Sequence, residues 1–135
     1  MFEDTAQAIA FYTKAFGATE RFRMPGPDGR ISHAEIQIGD SVLMMADEAP
    51  SIGAWSIQHY GGSPVSLLIY AEDCDAIYSQ ALASGAVSER EPADQPYGDR
   101  MCGVKDPFGY RWYIATHIRD MAVEEMVAAT APPTV

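Results

Sequence analysis

The chain is written twice. Moving its first helical stretch by 68 residues sets Ala8 on Ala76, Ile9 on Ile77, Ala15 on Ala83, Gly17 on Gly85 and Ala18 on Ala86. Moving a later strand–turn–strand stretch by 70 sets Gly39 on Gly109. The second turn, Asp106-Pro107-Phe108-Gly109, reverses the chain between two apolar runs, because Pro107 fixes φ and Gly109 permits a positive one. Each copy reads as a helix followed by three strands. Such a unit cannot bury its sheet face alone, so two of them pair and share a core. The helices cover one face of each sheet, and the other faces are left to line a cleft.

The elements follow from periodicity. Ala8, Ile9, Tyr12, Ala15 and Phe16 make one helical stripe over 5–17, with Asp4 or Thr5 as the cap. Residues 19–25 read as a strand closed by the turn cluster 25–29. Over 30–38, Ala34, Ile36 and Ile38 face one way and His33, Glu35 and Gln37 the other. Gly39-Asp40 signals a tight hairpin into a strand over 41–46. The second copy runs as a strand at 64–71, a helix at 74–84 capped by Asp73, and strands near 87–91, 100–105 and 110–117. The expected layout is one domain over 1–120: module one at about 1–47, a linker loop at 48–63 and module two at 64–118. A short helix at 119–128 and the tail Ala131–Val135 complete the chain.

Composition excludes some partners. A net charge of −10, with nine Lys and Arg, gives no basic face for nucleic acid or an anionic membrane. It favours a cationic small molecule, although acidity also serves solubility. No secretory leader pattern or apolar run of membrane-spanning length is visible. Cys74 and Cys102 are too few for a disulfide scaffold and read as reduced thiols in a cytoplasmic protein.

Three sets of residues then carry a resemblance: Ala8-Ile9-Ala10-Phe11-Tyr12 through Ala15-Phe16-Gly17-Ala18; His33-Ala34-Glu35 through Ile38-Gly39-Asp40-Ser41; and Tyr97-Gly98-Asp99-Arg100 through Asp106-Pro107-Phe108-Gly109-Tyr110-Arg111-Trp112. In this order they resemble the vicinal oxygen chelate superfamily, which includes glyoxalase I, bleomycin and fosfomycin resistance proteins and extradiol dioxygenases. The PhnB-type, glyoxalase-like branch is the closest in look. The resemblance implies an α+β fold of two paired βαβββ modules, with curved mixed sheets around a cleft, and a homodimer as the expected assembly. One departure is large. The family's first module opens with a strand, and here only Met1-Phe2-Glu3 precede the cap. The resemblance leaves three readings open: the chain starts late, the strand is missing or truncated, or another subunit fills its place.

The family's metal ligands do not carry over. The resemblance places the second, third and fourth ligand positions on Leu43, Ser66 and Tyr113, none of which suits a divalent ion. No cofactor is therefore expected, although a divalent metal on a replacement set of His33, Glu35 and His117 is an open alternative. Glu35 with His33 beside it could instead move a proton. Leu43, Met45, Ser66, Leu68, Tyr70, Arg111 and Tyr113 are the expected ligand-binding residues. Trp55, in the linker, is expected to lid the cleft or to sit in a dimer contact. Arg100 pairs with an acid or anchors a ligand carboxylate. Trp112, of opposite parity, packs under a helix. Three function classes stay open: a metal-free binder of a small organic molecule, a glyoxalase-like enzyme using Glu35 and His33, and a non-catalytic interaction domain.

Overall fold

The computed structural model describes residues 1–130. The expected tail at 131–135 lies outside them. Module one is α1 (Thr5–Phe16), β1 (Thr19–Pro25), β2 (Ile31–Ile38) and β3 (Ser41–Met45). Module two is β4 (Ser66–Tyr70), α2 (Cys74–Ala83), β5 (Val87–Asp94), β6 (Asp99–Lys105) and β7 (Arg111–His117), and α3 (Val123–Thr130) follows. The first module forms a three-stranded antiparallel sheet in the order β1-β2-β3. The second forms a four-stranded sheet in the order β4-β7-β6-β5, with β4 parallel to β7. The architecture is α+β, and the duplication is visible in the backbone itself. Asp4 and Asp73 cap α1 and α2 with φ/ψ of −141/96 and −139/95, and each side chain accepts the backbone N–H three residues on.

The apolar stripe of α1 is buried where its spacing places it: Ala8, Ile9, Tyr12, Ala15 and Phe16 are all in the core. They meet module two through Trp112, whose ring centroid lies 5.2 Å from Tyr12 and 4.7 Å from Phe16. Trp112 is thus under the helices, as its parity requires. At the centre is a buried carboxylate. Asp106 Oδ2 accepts from Tyr12 Oη at 2.6 Å and from Trp112 Nε1 at 2.9 Å. Its Oδ1 accepts the backbone N–H groups of Phe108 and Tyr110, each at 2.9 Å. Burial pushes this carboxyl above its ordinary value, against the four donors that pull it down. The hairpin of module two is thereby fastened to the helix of module one.

The last helix starts later than its periodicity suggests. Ile118 N–H and Arg119 N–H both donate to the Gly98 carbonyl, at 2.9 and 3.0 Å, so the chain folds back there before it can coil. The Glu125 carboxylate then accepts the Ala122 N–H at 2.9 Å, the reciprocal half of a capping box, and α3 begins at Val123. Gly98 has φ 95, and a Cβ on it would lie 2.2 Å from the Arg119 carbonyl oxygen, so only glycine fits this turn.

Changing Tyr12 to Phe leaves Asp106 Oδ2 with one donor in a buried site and is expected to cost about 1–3 kcal/mol of unfolding free energy. Tyr78→Phe, which loses only a surface bond to Ser88 Oγ, is expected to stay within about 0.5 kcal/mol. Equal losses for the two variants in urea melts would show that Asp106 does not join the modules.

Candidate functional site

Each sheet has one face turned toward the helices and one open face, and the ladder decides which side chain goes where. On β2, Ala34 and Ile36 are fully buried under α1, so His33, Glu35 and Gln37 take the open face. The β2–β3 register sets Met44 opposite Glu35 and Val42 opposite Gln37, while Leu43 and Met45 stand opposite Ile36 and Ala34. Leu43 and Met45 are therefore on the core side, and Met45 is 3% exposed against 72% for Met44. This takes both off the open face expected to carry them, although Leu43 lines the cavity between the sheets. The cause is loop length: Gly39-Asp40 is a two-residue turn, whereas five residues separate Lys105 from Arg111. Superposing Gly39 on Gly109 slips the strand by one residue, which exchanges its faces. The position equivalent to Tyr113 is Met44, whose soft thioether is a poor donor for the divalent ions that His and Glu sets hold.

The open face of sheet one carries Phe22 and Met24 from β1, His33 and Glu35 from β2, and Val42 and Met44 from β3. Glu35 Oε2 accepts from Arg21 at 2.8 Å, and its Oε1 lies 3.4 Å from His33 Nε2. The His33 ring sits 5.6 Å from that of Phe22. The open face of sheet two carries Ser66, Leu68 and Tyr70 from β4 beside Arg111 and Tyr113 from β7. Arg111 forms a two-pronged pair with Glu89. The Tyr113 ring lies across Gly103, where a Cβ would come within 3.2 Å of it. Trp55 stacks on His59 within the linker, centroids 4.1 Å apart and nearly parallel.

A second polar group stands at the end of sheet two. Asp99, 7% exposed, accepts from Tyr70 Oη at 2.8 Å and lies 2.8 Å from His117 Nδ1, while His117 Nε2 lies 3.0 Å from Asp120. The hydrogen bond from His117 holds the Asp99 carboxyl below its ordinary range, and Asp99 and Asp120 together raise the imidazole. Both nitrogens of His117 are thus engaged, at the end of sheet two, while His33 and Glu35 lie on sheet one. The set His33, Glu35 and His117 does not assemble, and no group of three His, Cys, Asp or Glu side chains able to hold a metal occurs among the described residues. With Ser66, Tyr113 and Met44 at the family's ligand positions, the residues present do not fit the family's metal. Sequence reasoning missed Asp99 as the hub of this group, although the turn signal of Gly98 beside it was the available sign. Arg100 pairs bidentately with Asp75, at 2.6 and 2.8 Å, and with Asp94 at 2.8 Å, which ties α2 to β5 and β6. Cys74 and Cys102 are free and buried, and burial pushes the Cys102 thiol up to about 12.

Between the two sheets runs a cavity of about 380 Å³ lined by Ile38–Ser41, Leu43, Leu67–Tyr70 and Trp112. Four consecutive residues of β4 line it, so both faces of that strand border the same space.

Comparison with known proteins agrees with this geometry. Residues 2–114 match the family model described as Glyoxalase/Bleomycin resistance protein/Dioxygenase superfamily, and the chain belongs to that superfamily. The uncharacterized protein Mb0911c of Mycobacterium bovis is 39% identical over 94% of this chain and 86% of its own length. The crystal structure of TioX from Micromonospora sp. ML1 superposes with a TM-score of 0.67 at 23% identity, covering 90% of this chain and 94% of that one, a likeness of fold. The X-ray structure of the Arabidopsis thaliana gene product At5g48480 gives a TM-score of 0.65 at 26% identity, over 84% of this chain and 89% of that one.

Two measurements check the faces and the polar group. Met45→Ala is expected to cost about 2–5 kcal/mol and Met44→Ala less than about 0.5; the reverse order in denaturation would restore the other register. By NMR, His117 is expected to titrate above 6.5 and to fall toward it in Asp99→Asn. Because the folded value is the higher one, the stability this group contributes is complete below the unfolded value and is lost as pH rises through the folded one. A His117 midpoint unmoved by Asp99→Asn would remove Asp99 as its partner.

Proposed function

We propose that this protein binds a small organic molecule, cationic and aromatic, against the open faces of its sheets, without a metal. One observation carries the reading. Phe22, Met24, Val42, Met44, Leu68 and Tyr70 are 40–72% exposed on those faces, where they stand among His33, Glu35, Ser66 and Arg111. Exposed apolar surface gathered in this way marks a binding surface. The methionines suit it because their unbranched side chains adapt to different shapes. Glu35 supplies an anionic contact, Tyr70 and Tyr113 supply ring faces for a cation, and the net charge of −10 draws one in. The bleomycin-resistance side of the superfamily, whose members sequester a ligand, is the closest functional parallel. The conserved chemistry of the metal-using members would need donors that Met44, Ser66 and Tyr113 do not offer.

Finer expectations go with this reading. A homodimer would cover the parts of the open faces that a ligand leaves bare. Two reduced, buried cysteines suit a cytoplasmic protein. The PhnB-type branch rests on the sequence motifs around Gly98-Asp99 and Asp106–Gly109 alone. A second reading is a glyoxalase-like enzyme with Glu35 as base. It draws on the 3.4 Å approach of His33 to Glu35, but Arg21 already holds one oxygen of that carboxylate.

The test is a thermal-shift screen of cationic aromatic compounds, followed by titration of each hit. Leu68→Asp and Met44→Asp, on exposed positions, are expected to weaken a hit by about tenfold or more while the melting temperature without ligand is kept. Hits that bind both variants as well as the parent, or a panel in which only anionic compounds bind, would sink the reading. Turnover of a hit, lost in Glu35→Gln, would establish the enzyme instead.

A further inference from the structure

One break in the strand ladder occurs twice, as the modules do. In β1 the pairing with β2 slips between Glu20, opposite Ile36, and Phe22, opposite Glu35, so Arg21 is an extra residue. In β5 the pairing with β6 slips between Ser88, opposite Val104, and Arg90, opposite Gly103, so Glu89 is an extra residue. Glu20 to Ser88 and Ile36 to Val104 are each 68 residues, the offset that sets α1 on α2. Each module therefore carries a β-bulge at the same place.

A bulge changes which side chains share a face. In a regular strand two consecutive side chains point to opposite faces, and at a bulge both stand opposite one partner residue, on its face. Arg21 and Phe22 thus share the open face of sheet one, where Arg21 reaches Glu35 at 2.8 Å and the Phe22 ring lies 5.6 Å from that of His33. Glu89 and Arg90 share the open face of sheet two. Glu89 pairs there with Arg111. Arg90 lies over Gly103 with the Tyr113 ring: a Cβ on that glycine would stand 3.4 Å from Arg90 Cβ and 3.2 Å from the ring. One backbone device delivers an aromatic ring to one face and a guanidinium to the other.

The open face of sheet two is electropositive as a result. The β6–β7 register sets Lys105 opposite Arg111, so Lys105 joins the same face. Arg90, Lys105 and Arg111 are three of the nine basic residues of the chain, and they gather around one acid, Glu89. The Arg90 guanidinium donates to a neutral partner, Gln95 Oε1 at 2.6 Å, which orients it and leaves its charge uncancelled. Arg111, with Lys105 behind it, holds the Glu89 carboxyl below its ordinary range. A recess of about 460 Å³ lies between Glu89, Arg90, Arg111 and Tyr113. Sheet one has no such excess: Arg21 is bound to Glu35, and Phe22, Met24 and Met44 beside them are apolar.

We propose that the recess on sheet two is a carboxylate subsite, and that the molecule bound on the open faces is dipolar, with a carboxylate besides its cationic aromatic part. This subsite rests on the metal-free binding of a cationic aromatic molecule proposed above. Arg90 and Arg111 offer planar N–H forks, which a carboxylate meets with two parallel hydrogen bonds, and Lys105 adds a point charge behind them. A dipolar ligand also suits the field of the whole protein. A plain anion is repelled by the net charge of −10. A molecule whose charges cancel responds instead to the groups within about one Debye length of each end, roughly 8–10 Å. Arg90 is therefore a specificity-determining residue, and the bulge at Glu89 is what sets it beside Arg111.

Three probes share one ring: tryptamine carries the cation alone, indoleacetate the carboxylate alone, and tryptophan both. In calorimetric titrations of the whole chain, tryptophan is expected to bind about tenfold or more tighter than either of the others. By NMR, the amides of Arg90 and Gly103 are expected to shift with tryptophan and to stay in place with tryptamine. Arg90→Gln and Lys105→Gln, on exposed side chains, are expected to shrink the preference for tryptophan over tryptamine, and Arg90→Lys to keep part of it, all three with the circular dichroism of the parent. Should a variant not fold, the shifts at Arg90 and Gly103 in the parent decide alone. Tryptamine bound as tightly as tryptophan would overturn the carboxylate subsite and leave the cationic aromatic reading standing. Indoleacetate bound as tightly as tryptophan would overturn the dipole, because the cation would then add nothing. A preference for tryptophan that survives both Arg90→Gln and Lys105→Gln would overturn the placement on sheet two. Binding of none of the three would overturn the subsite and the reading beneath it together.

Discussion

Everything in this molecule hangs on the Asp106 carboxylate. It sits in the turn between β6 and β7, out of water, and takes four donors from three directions. Two of them close its own turn. The third, Trp112, fixes β7 to that turn, and the fourth, Tyr12, belongs to the other module. A buried carboxylate is costly unless its lone pairs are used, and once they are used it becomes highly directional. The aromatic rings around it supply the apolar burial, but rings can slide and still be buried. Asp106 specifies the angle at which α1 meets module two, and so the angle between the sheets. The open faces and the cavity between the sheets are consequences of that angle.

The duplication was legible because helix caps and small buried residues are local properties. Asp4 and Asp73, or Ala18 and Ala86, are needed wherever a helix of this module begins or leaves the core. Strand register was less legible. The tight turn at Gly39-Asp40 and the long turn after Asp106 look alike as glycine-bearing breaks, yet they differ in length by three residues. A strand reads every offset by parity, so one misplaced residue moves Leu43 and Met45 onto the wrong side and hides Met44. The burial of Ala34 and Ile36 was the better guide, because β3 must follow β2 whatever the turn does.

The polar group at Asp99 shows a different limit. Its members are Tyr70 on β4, Asp99 on β6, His117 on β7 and Asp120 beyond it, and no spacing in the chain links them. They meet because β4 and β6 flank β7 and because the chain turns back over Gly98 after His117. Only the sheet order, with the second module's first strand inserted beside its last, makes them neighbours. His117 looked like a free ligand at a strand's end, and it is the best-occupied histidine in the structure.

The substitutions at the metal positions and the character of the open faces belong to one argument. A fold that recognises its ligand through a metal can leave the surrounding surface plain, since the ion supplies most of the affinity and the orientation. With Met44, Ser66 and Tyr113 at those positions, the proposed metal-free binding would fall to the same surface, through area, shape and a few charges. On that proposal the demand falls on the residues between and around Met44, Ser66 and Tyr113, where the exposed apolar side chains of the open faces lie.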